Sequence, residues 1–231
     1  MDISVEKTPK QKLSQYVIDT ATAVSITHLP GTDLSIVKDA CVSLNEQAGK
    51  AKAVAHIGAR NITSEKELHE SCIAMRKAGI DKVLVIGGST YYGKIFQNAD
   101  EVRNAIEAYN FKTYCGLYPQ HESIHQAVAK FQIYDEGITQ LCLNPRLLNS
   151  WHKNARIGVP SNCTIKGLYK YMRLCGLTES LAYALGNLSG IRYVGQQGFN
   201  TKKFVKALTT SRIHIYNFGK LDQTLLQLEM M

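Results

Sequence analysis

The chain has no apolar run long enough to cross a membrane, and its opening stretch, MDISVEKTPKQK, has no signal-peptide core. Both absences lead to the expectation of a cytoplasmic protein without membrane contact. None of the six cysteines (Cys41, Cys72, Cys115, Cys142, Cys163, Cys175) forms a C-x-x-C pair. Scattered through 231 residues, they read as reduced, mostly buried thiols, which argues against a disulfide frame or a zinc site. No basic run exceeds two residues, so no dedicated nucleic-acid arm is expected. No linker rich in Pro, Gly or Ser divides the chain, so one domain is expected.

What is there is ordinary in bulk and uneven in charge. Hydrophobic residues make up 45% and charged residues 20%, the balance of a globular protein. The formal net charge is +8, and from Arg146 onward 12 basic residues face 3 acids. A basic final third draws anionic ligands by steering, covers a solvated face, or meets an acidic neighbour. The charge count does not choose among these.

Short β-rich runs alternate with amphipathic helical patterns. Strands are expected at Ile3–Val5, Ala23–Thr27, Lys52–His56, Lys82–Ile86, Lys112–Leu117, Ile138–Leu143, Ala155–Val159 and Arg212–Tyr216. The stretch Thr63–Lys77 reads as a helix capped by Thr63 and stopped by Gly79. Eight strands, each followed by a helical segment, predict an α/β fold of the (β/α)8 TIM barrel type, in one compact domain over residues 1–231. A doubly wound open sheet is the alternative. The least regular stretch, Thr178–Thr201, is expected to carry an extra helix before the last strand.

One motif invites a different reading. In "VLVIGGSTYYGKI", Gly88-x4-Gly93-Lys94 falls one residue short of a phosphate-binding P-loop. Ile95 stands where the metal-binding Ser or Thr hydroxyl belongs, and Tyr91 and Tyr92 are bulky for such a loop. A barrel gives the stretch another role, because ligands bind where barrel strands end. Glu6, Thr27, His56, Gly87, Gly88, Ser89, Tyr118 and Gln140 all fall at or just after expected strands. Tyr91 and Tyr92 then read as part of a lid.

At these positions the sequence resembles the methylenetetrahydrofolate reductase family. The segments "ISVEKTP", "AVSITHLPG", "VAHIGARN", "AGIDKVLVIGGS", "GLYPQHES", "ITQLCLNP", "RIGVPSNCTIKGLYKYMRLCGL" and "IHIYNFG" match the family's eight units in order, over nearly the whole chain. The resemblance implies a TIM barrel that binds FAD and interconverts 5,10-methylenetetrahydrofolate and 5-methyltetrahydrofolate, with NAD(P)H as co-substrate. It makes Glu6 the catalytic acid that protonates the folate, and Gln140 a residue that contacts folate and nicotinamide in turn. Thr27, His56, Tyr118 and His121 match flavin-contacting positions, with Gly87 and Gly88 beside them. Where the family has Arg-Gly-Asp, this chain has Gly87-Gly88-Ser89, which places Ser89 beside the substrate and removes a charge there.

Each residue also has a plainer reading. Glu6 alone is an ordinary Glu near a terminus; at a strand end, burial would raise its pKa and make it a proton donor. His56 and Thr27 read equally as satisfied core groups. His121 and His125 have the i,i+4 spacing of zinc ligands on one helix face, but no third ligand stands out and no metal is expected. Phe199, Phe204 and Ile165 are candidate stacking surfaces for a pterin. Three readings stay open: a flavin-dependent folate oxidoreductase, a flavin-lacking folate barrel of the same family, and a basic binding protein. No nucleic-acid partner is expected, and a homo-oligomer is compatible with the sequence.

Overall fold

The computed structural model describes residues 1–88, 93, 95–151, 154–174, 191–195 and 198–231. The first strand, β1 (Asp2–Lys7), leads through α1 (Gln15–Thr20) to β2 (Ala23–Ile26), and α2 (Leu34–Asn45) leads on to β3 (Lys52–Gly58). Then follow α3 (Glu65–Lys77), β4 (Lys82–Ile86), α4 (Ala99–Ala105), β5 (Lys112–Leu117), α5 (Ile124–Lys130) and β6 (Glu136–Thr139). The chain continues through α6 (Pro145–Leu148), β7 (Ala155–Pro160) and α7 (Ile165–Leu174). A small hairpin, β8 (Val194–Gly195) with β9 (Gly198–Phe199), precedes α8 (Thr201–Val205), β10 (Arg212–Tyr216) and α9 (Leu221–Glu229).

Seven strands, β1 to β7, and β10 form one closed barrel in the order β1-β10-β7-β6-β5-β4-β3-β2. Every pairing around it is parallel, and β1 closes on β10 with Asp2 beside Arg212 and Ser4 beside His214. This is the TIM barrel that the alternation predicts. Strand pleating divides its residues into two sets. Ile3, Val5, Val24, Ile57, Val83 and Val85 join the main core that includes the helices, whereas Ala23, Val54, Leu84, Tyr114 and Ile138 form a separate cluster inside the barrel.

All eight expected barrel strands are present, with one shifted. The strand expected at Ile138–Leu143 is β6, Glu136–Thr139. Glu136-Gly137 resembles a polar turn in sequence, but Glu136 is buried and paired with two arginines, so it can lie in a strand. Helix α3 also starts one residue later than expected. Ser64, not Thr63, accepts from the Glu67 N–H, and Thr63 instead donates to the Glu67 carboxylate. Glu65 and Glu67 in its first turn and Arg76 and Lys77 in its last complement the helix dipole. Gly79 (φ +73) ends it, with N–H groups of Gly79 and Ile80 donating to Arg76 and Met75 carbonyls.

Cys41, Cys72, Cys115, Cys142 and Cys163 are free and buried, as expected; Cys175 lies outside the described residues. So do Ser89, Thr90, Tyr91, Tyr92, Lys94 and most of the stretch expected to hold an extra helix. Among the described residues no helix is long and apolar enough to cross a membrane.

Candidate active site at the strand ends

Side chains on β1, β3 and β10 meet inside the barrel. Glu6 follows Ser4 on the inward face of β1, with its side chain 24% exposed. Its Oε2 lies 3.7 Å from Nε2 of His214, which is fully buried on β10. On the other side of that ring, Nδ1 is 2.9 Å from Ser4 Oγ, which reaches the Ile213 carbonyl at 3.4 Å. When His214 is protonated, a directed chain results: Nδ1–H donates to Ser4, and Ser4 donates to Ile213 O.

His56, inward on β3, completes the group. Its ring is buried, and neither nitrogen has a hydrogen-bond partner among the described residues. Burial, with smaller contributions from His28 and His214, pushes its pKa down to about 4, against the opposing pull of Glu6. His56 is therefore a neutral imidazole at pH 7. Glu6 departs from expectation. Burial pushes its carboxyl up, but the close approach of His214, 3.7 Å away, outweighs that and holds it below the usual range. Glu6 is a carboxylate at neutral pH, so burial does not make it the proton donor expected from the sequence.

The other expected positions divide. Thr27 donates its hydroxyl to the Lys7 carbonyl at 3.2 Å, tying the end of β2 to that of β1. Gln140, one residue past β6, is half-buried; its Oε1 accepts from Leu141 N at 3.0 Å, so the amide nitrogen is the group it offers. Tyr118 is 36% exposed at the end of β5, with the Lys130 ammonium 5.5 Å from its ring centre. His121 is exposed in the turn before α5, outside the helix that carries His125, so the two do not share a helix face. No group of three His, Cys, Asp or Glu able to hold a metal occurs among the described residues.

Local packing accounts for the two glycines of the P-loop-like spacing. Gly88 (φ +83) needs its left-handed backbone, and its carbonyl accepts from the Arg60 guanidinium at 3.0 Å. A Cβ on Gly93 would sit 1.6 Å from the Ile62 carbonyl oxygen. Both glycines therefore fit the loop against residues 59–62, which follow β3. Gly87 is different, because a Cβ there would meet none of the described residues within 4 Å.

Phe199 and Phe204 are not stacking surfaces. They pack on each other in the core, ring centres 5.6 Å apart, while Ile165 is 57% exposed on α7. The aromatic surface beside the site comes from Tyr216, Phe218 and Tyr171. Tyr171 stacks on Phe218 at 4.3 Å, and Tyr216 meets both Phe218 and His214. The "VPSN" segment supports this corner. Ser161 bonds Phe218 N and Gly219 O, while Asn162 bonds Thr201 N and Gln227. Sequence reasoning missed His214. The available signal was its place between Ile213 and Ile215, where alternation turns a lone polar residue into the barrel.

No protein-family model and no curated protein matches the sequence. Solved structures resemble it in fold. A 2,3-dimethylmalate lyase of the PEP mutase/isocitrate lyase superfamily aligns over 99% of this chain and 80% of its own, at 9% identity and a TM-score of 0.50. An oxaloacetate acetylhydrolase aligns over 89% of this chain and 88% of its own (11% identity, TM-score 0.49). Dihydrodipicolinate synthase from Bacillus clausii aligns over 100% and 98% (14% identity, TM-score 0.43). At these identities the likeness concerns the barrel alone.

Proposed function

We propose that the protein is a folate-linked oxidoreductase that interconverts 5,10-methylenetetrahydrofolate and 5-methyltetrahydrofolate, with NAD(P)H as the hydride source. The observation that carries this reading is the Glu6–His214 contact, 3.7 Å, inside the barrel beside the strand ends. In the reductive direction the bridging carbon gains a hydride and the nitrogen it leaves gains a proton. The Glu6 carboxylate and the His214 imidazole can hold that proton between them, with Ser4 orienting the ring. A pair of this kind fits proton delivery better than a lone raised carboxyl does, because Glu6 itself stays ionised. The amide nitrogen of Gln140, one residue past β6, is a group offered at the strand ends to orient the substrate.

Two features fit a flat cofactor at the ends of β3 and β4. The His56 ring nitrogens are buried without partners among the described residues, and none of these residues fills the space beside Gly87. FAD, when bound, supplies the hydride-carrying chemistry. His56, Gly87 and Gly88 would hold it, with Tyr118 at the rim. The committed Thr27 hydroxyl and the exposed His121 favour a second reading, a flavin-independent barrel of the same descent. The absorbance spectrum of the purified protein separates the two.

Glu6→Gln tests the reading. Losing the proton-handling carboxylate should slow NAD(P)H-dependent reduction of methylenetetrahydrofolate by ~10²–10⁴ while flavin binding is unchanged. A variant as fast as wild type would remove Glu6 from the chemistry. Wild type without any such activity, with or without added FAD, would remove the folate assignment.

A further inference from the structure

The N-terminal half of the barrel interior holds a cavity of about 120 Å³, on the side of His214 away from the strand ends. Barrel interiors are usually filled by branched apolar side chains. Here the walls include Ser4, Ala23, Ser25, Val54, Tyr114 and Ile138, and the small residues on β1 and β2 leave the space open. Ser25 is 2% exposed, and its hydroxyl oxygen has no partner among the described residues. A buried hydroxyl without a partner is costly unless something else supplies one.

The charges at the lower rim indicate what that is. Asp2 and Glu136 are both engaged by Arg156, at 2.7 and 3.1 Å, and by Arg212. Lys82 also lines the cavity, half-buried, and forms no ion pair among the described residues. Lys112 stands next to it in register, and Lys52 begins the adjoining strand, so three lysines open the barrel's lower end. With Asp2 paired to Arg156, the remaining charge lining the cavity is that of Lys82, which attracts anions.

We propose that this cavity is a second binding site, for a small monocarboxylate that enters from the N-terminal end of the barrel. Its carboxylate meets the Lys82 ammonium and the Ser25 hydroxyl, and its short apolar part lies against Ala23, Val54 and Ile138. The volume suits this class. A cavity of roughly 150 Å³ takes a benzene, so this one takes a ligand of about four or five heavy atoms. Acetate is such a ligand, and a nucleotide or a folate is too large. The site shares its upper wall, Ser4 and His214, with the Glu6 centre, but its assignment does not depend on the folate reading.

The test is thermal unfolding of the whole protein titrated with sodium acetate, against sodium chloride at the same pH and ionic strength. Acetate should raise the midpoint saturably beyond chloride. Lys82→Gln, a change at a half-exposed strand start, should weaken the acetate effect about tenfold or more, the loss expected of a charge-assisted hydrogen bond. Ser25→Ala should weaken it too, and Gln140→Ala at the opposite end should leave it unchanged. The proposal fails if acetate acts no differently from chloride, as it would if the cavity held only water. It also fails if Lys82→Gln binds like wild type, or if Gln140→Ala abolishes the effect and so places the carboxylate at the strand ends.

Discussion

The two ends of the barrel interior are both polar, and they differ in how far their polar groups are satisfied. At the N-terminal end Arg156, 6% exposed, bridges Asp2 and Glu136, and Arg212 joins the same two acids. Tyr114 bonds Glu136, and Thr22 bonds Asp2. Toward the strand ends His56 has two nitrogens without partners among the described residues, and Glu6 reaches His214 only at 3.7 Å. The first arrangement is a closed ionic layer that joins β1, β6, β7 and β10. The second leaves hydrogen-bonding capacity open. Protein interiors rarely tolerate open capacity without a use for it, so the upper end is where the substrate is expected, while Ser25, just above the ionic layer, is the one open hydroxyl among the described residues of the cavity below.

The sharpest way to break this contrast is to remove one partner from the closed layer. Arg156→Ala leaves the buried Glu136 and the half-exposed Asp2 with Arg212 alone. Breaking a buried ion pair from one side typically costs ~3–5 kcal/mol. Urea unfolding should register that loss, with little change for Glu6→Gln at the open end. A cost below ~1 kcal/mol would mean that water screens the layer and that the lower end is no more closed than the upper.

The next effect separates the ends by pH. His56 titrates at about 4 in the folded protein against an ordinary 6.5. Between those values the unfolded chain holds a proton that the folded chain does not, so stability falls as pH drops from about 6.5 toward 4. Above that window both states are neutral and His56 contributes no slope. The gap corresponds to at most about 3 kcal/mol. His28, also pushed down chiefly by burial, acts with the same sign. Glu6 and Asp2, with lowered carboxyls, give stability that is present above their unfolded values and lost at more acid pH. His56→Gln should flatten the fall between pH 6.5 and 4 measured by urea unfolding. An unchanged slope would show that the ring is protonated in the folded state and has a partner.

Much of the closed end's scaffold was legible in the sequence, and little of the open end's chemistry was. Strand and helix periods persist through the chain, so β1 to β7 and β10 could be placed from alternation alone. Glu6, His56 and Gln140 could be picked because strand ends are where barrels bind ligands. The state of Glu6 could not, since it depends on His214, 208 positions along the chain and brought near only by the pairing of β1 with β10. The start of β6 at Glu136 was missed for the same reason. A charged residue before Gly137 reads as a turn until Arg156 and Arg212 are seen to neutralise it from two other strands. Local pattern carries the barrel, and long-range pairing sets the charge inside it.

The smallest effect bears on the boundary between the two ends, at Ser25. Its hydroxyl lines the cavity below His214, and its oxygen lacks a partner among the described residues. In a buffer without carboxylates, Ser25→Ala removes a polar atom that gains little from the fold, while leaving the strand pairing of β2 intact. Deleting an unsatisfied group is close to neutral or slightly stabilising, whereas deleting one that is hydrogen-bonded costs ~1–3 kcal/mol. The expected change in urea unfolding is therefore within ~1 kcal/mol of zero. A loss of ~2 kcal/mol or more would mean that ordered water already satisfies the hydroxyl. Ser25 would then belong with the closed ionic layer beneath it, and the cavity would be part of the scaffold instead of an open site.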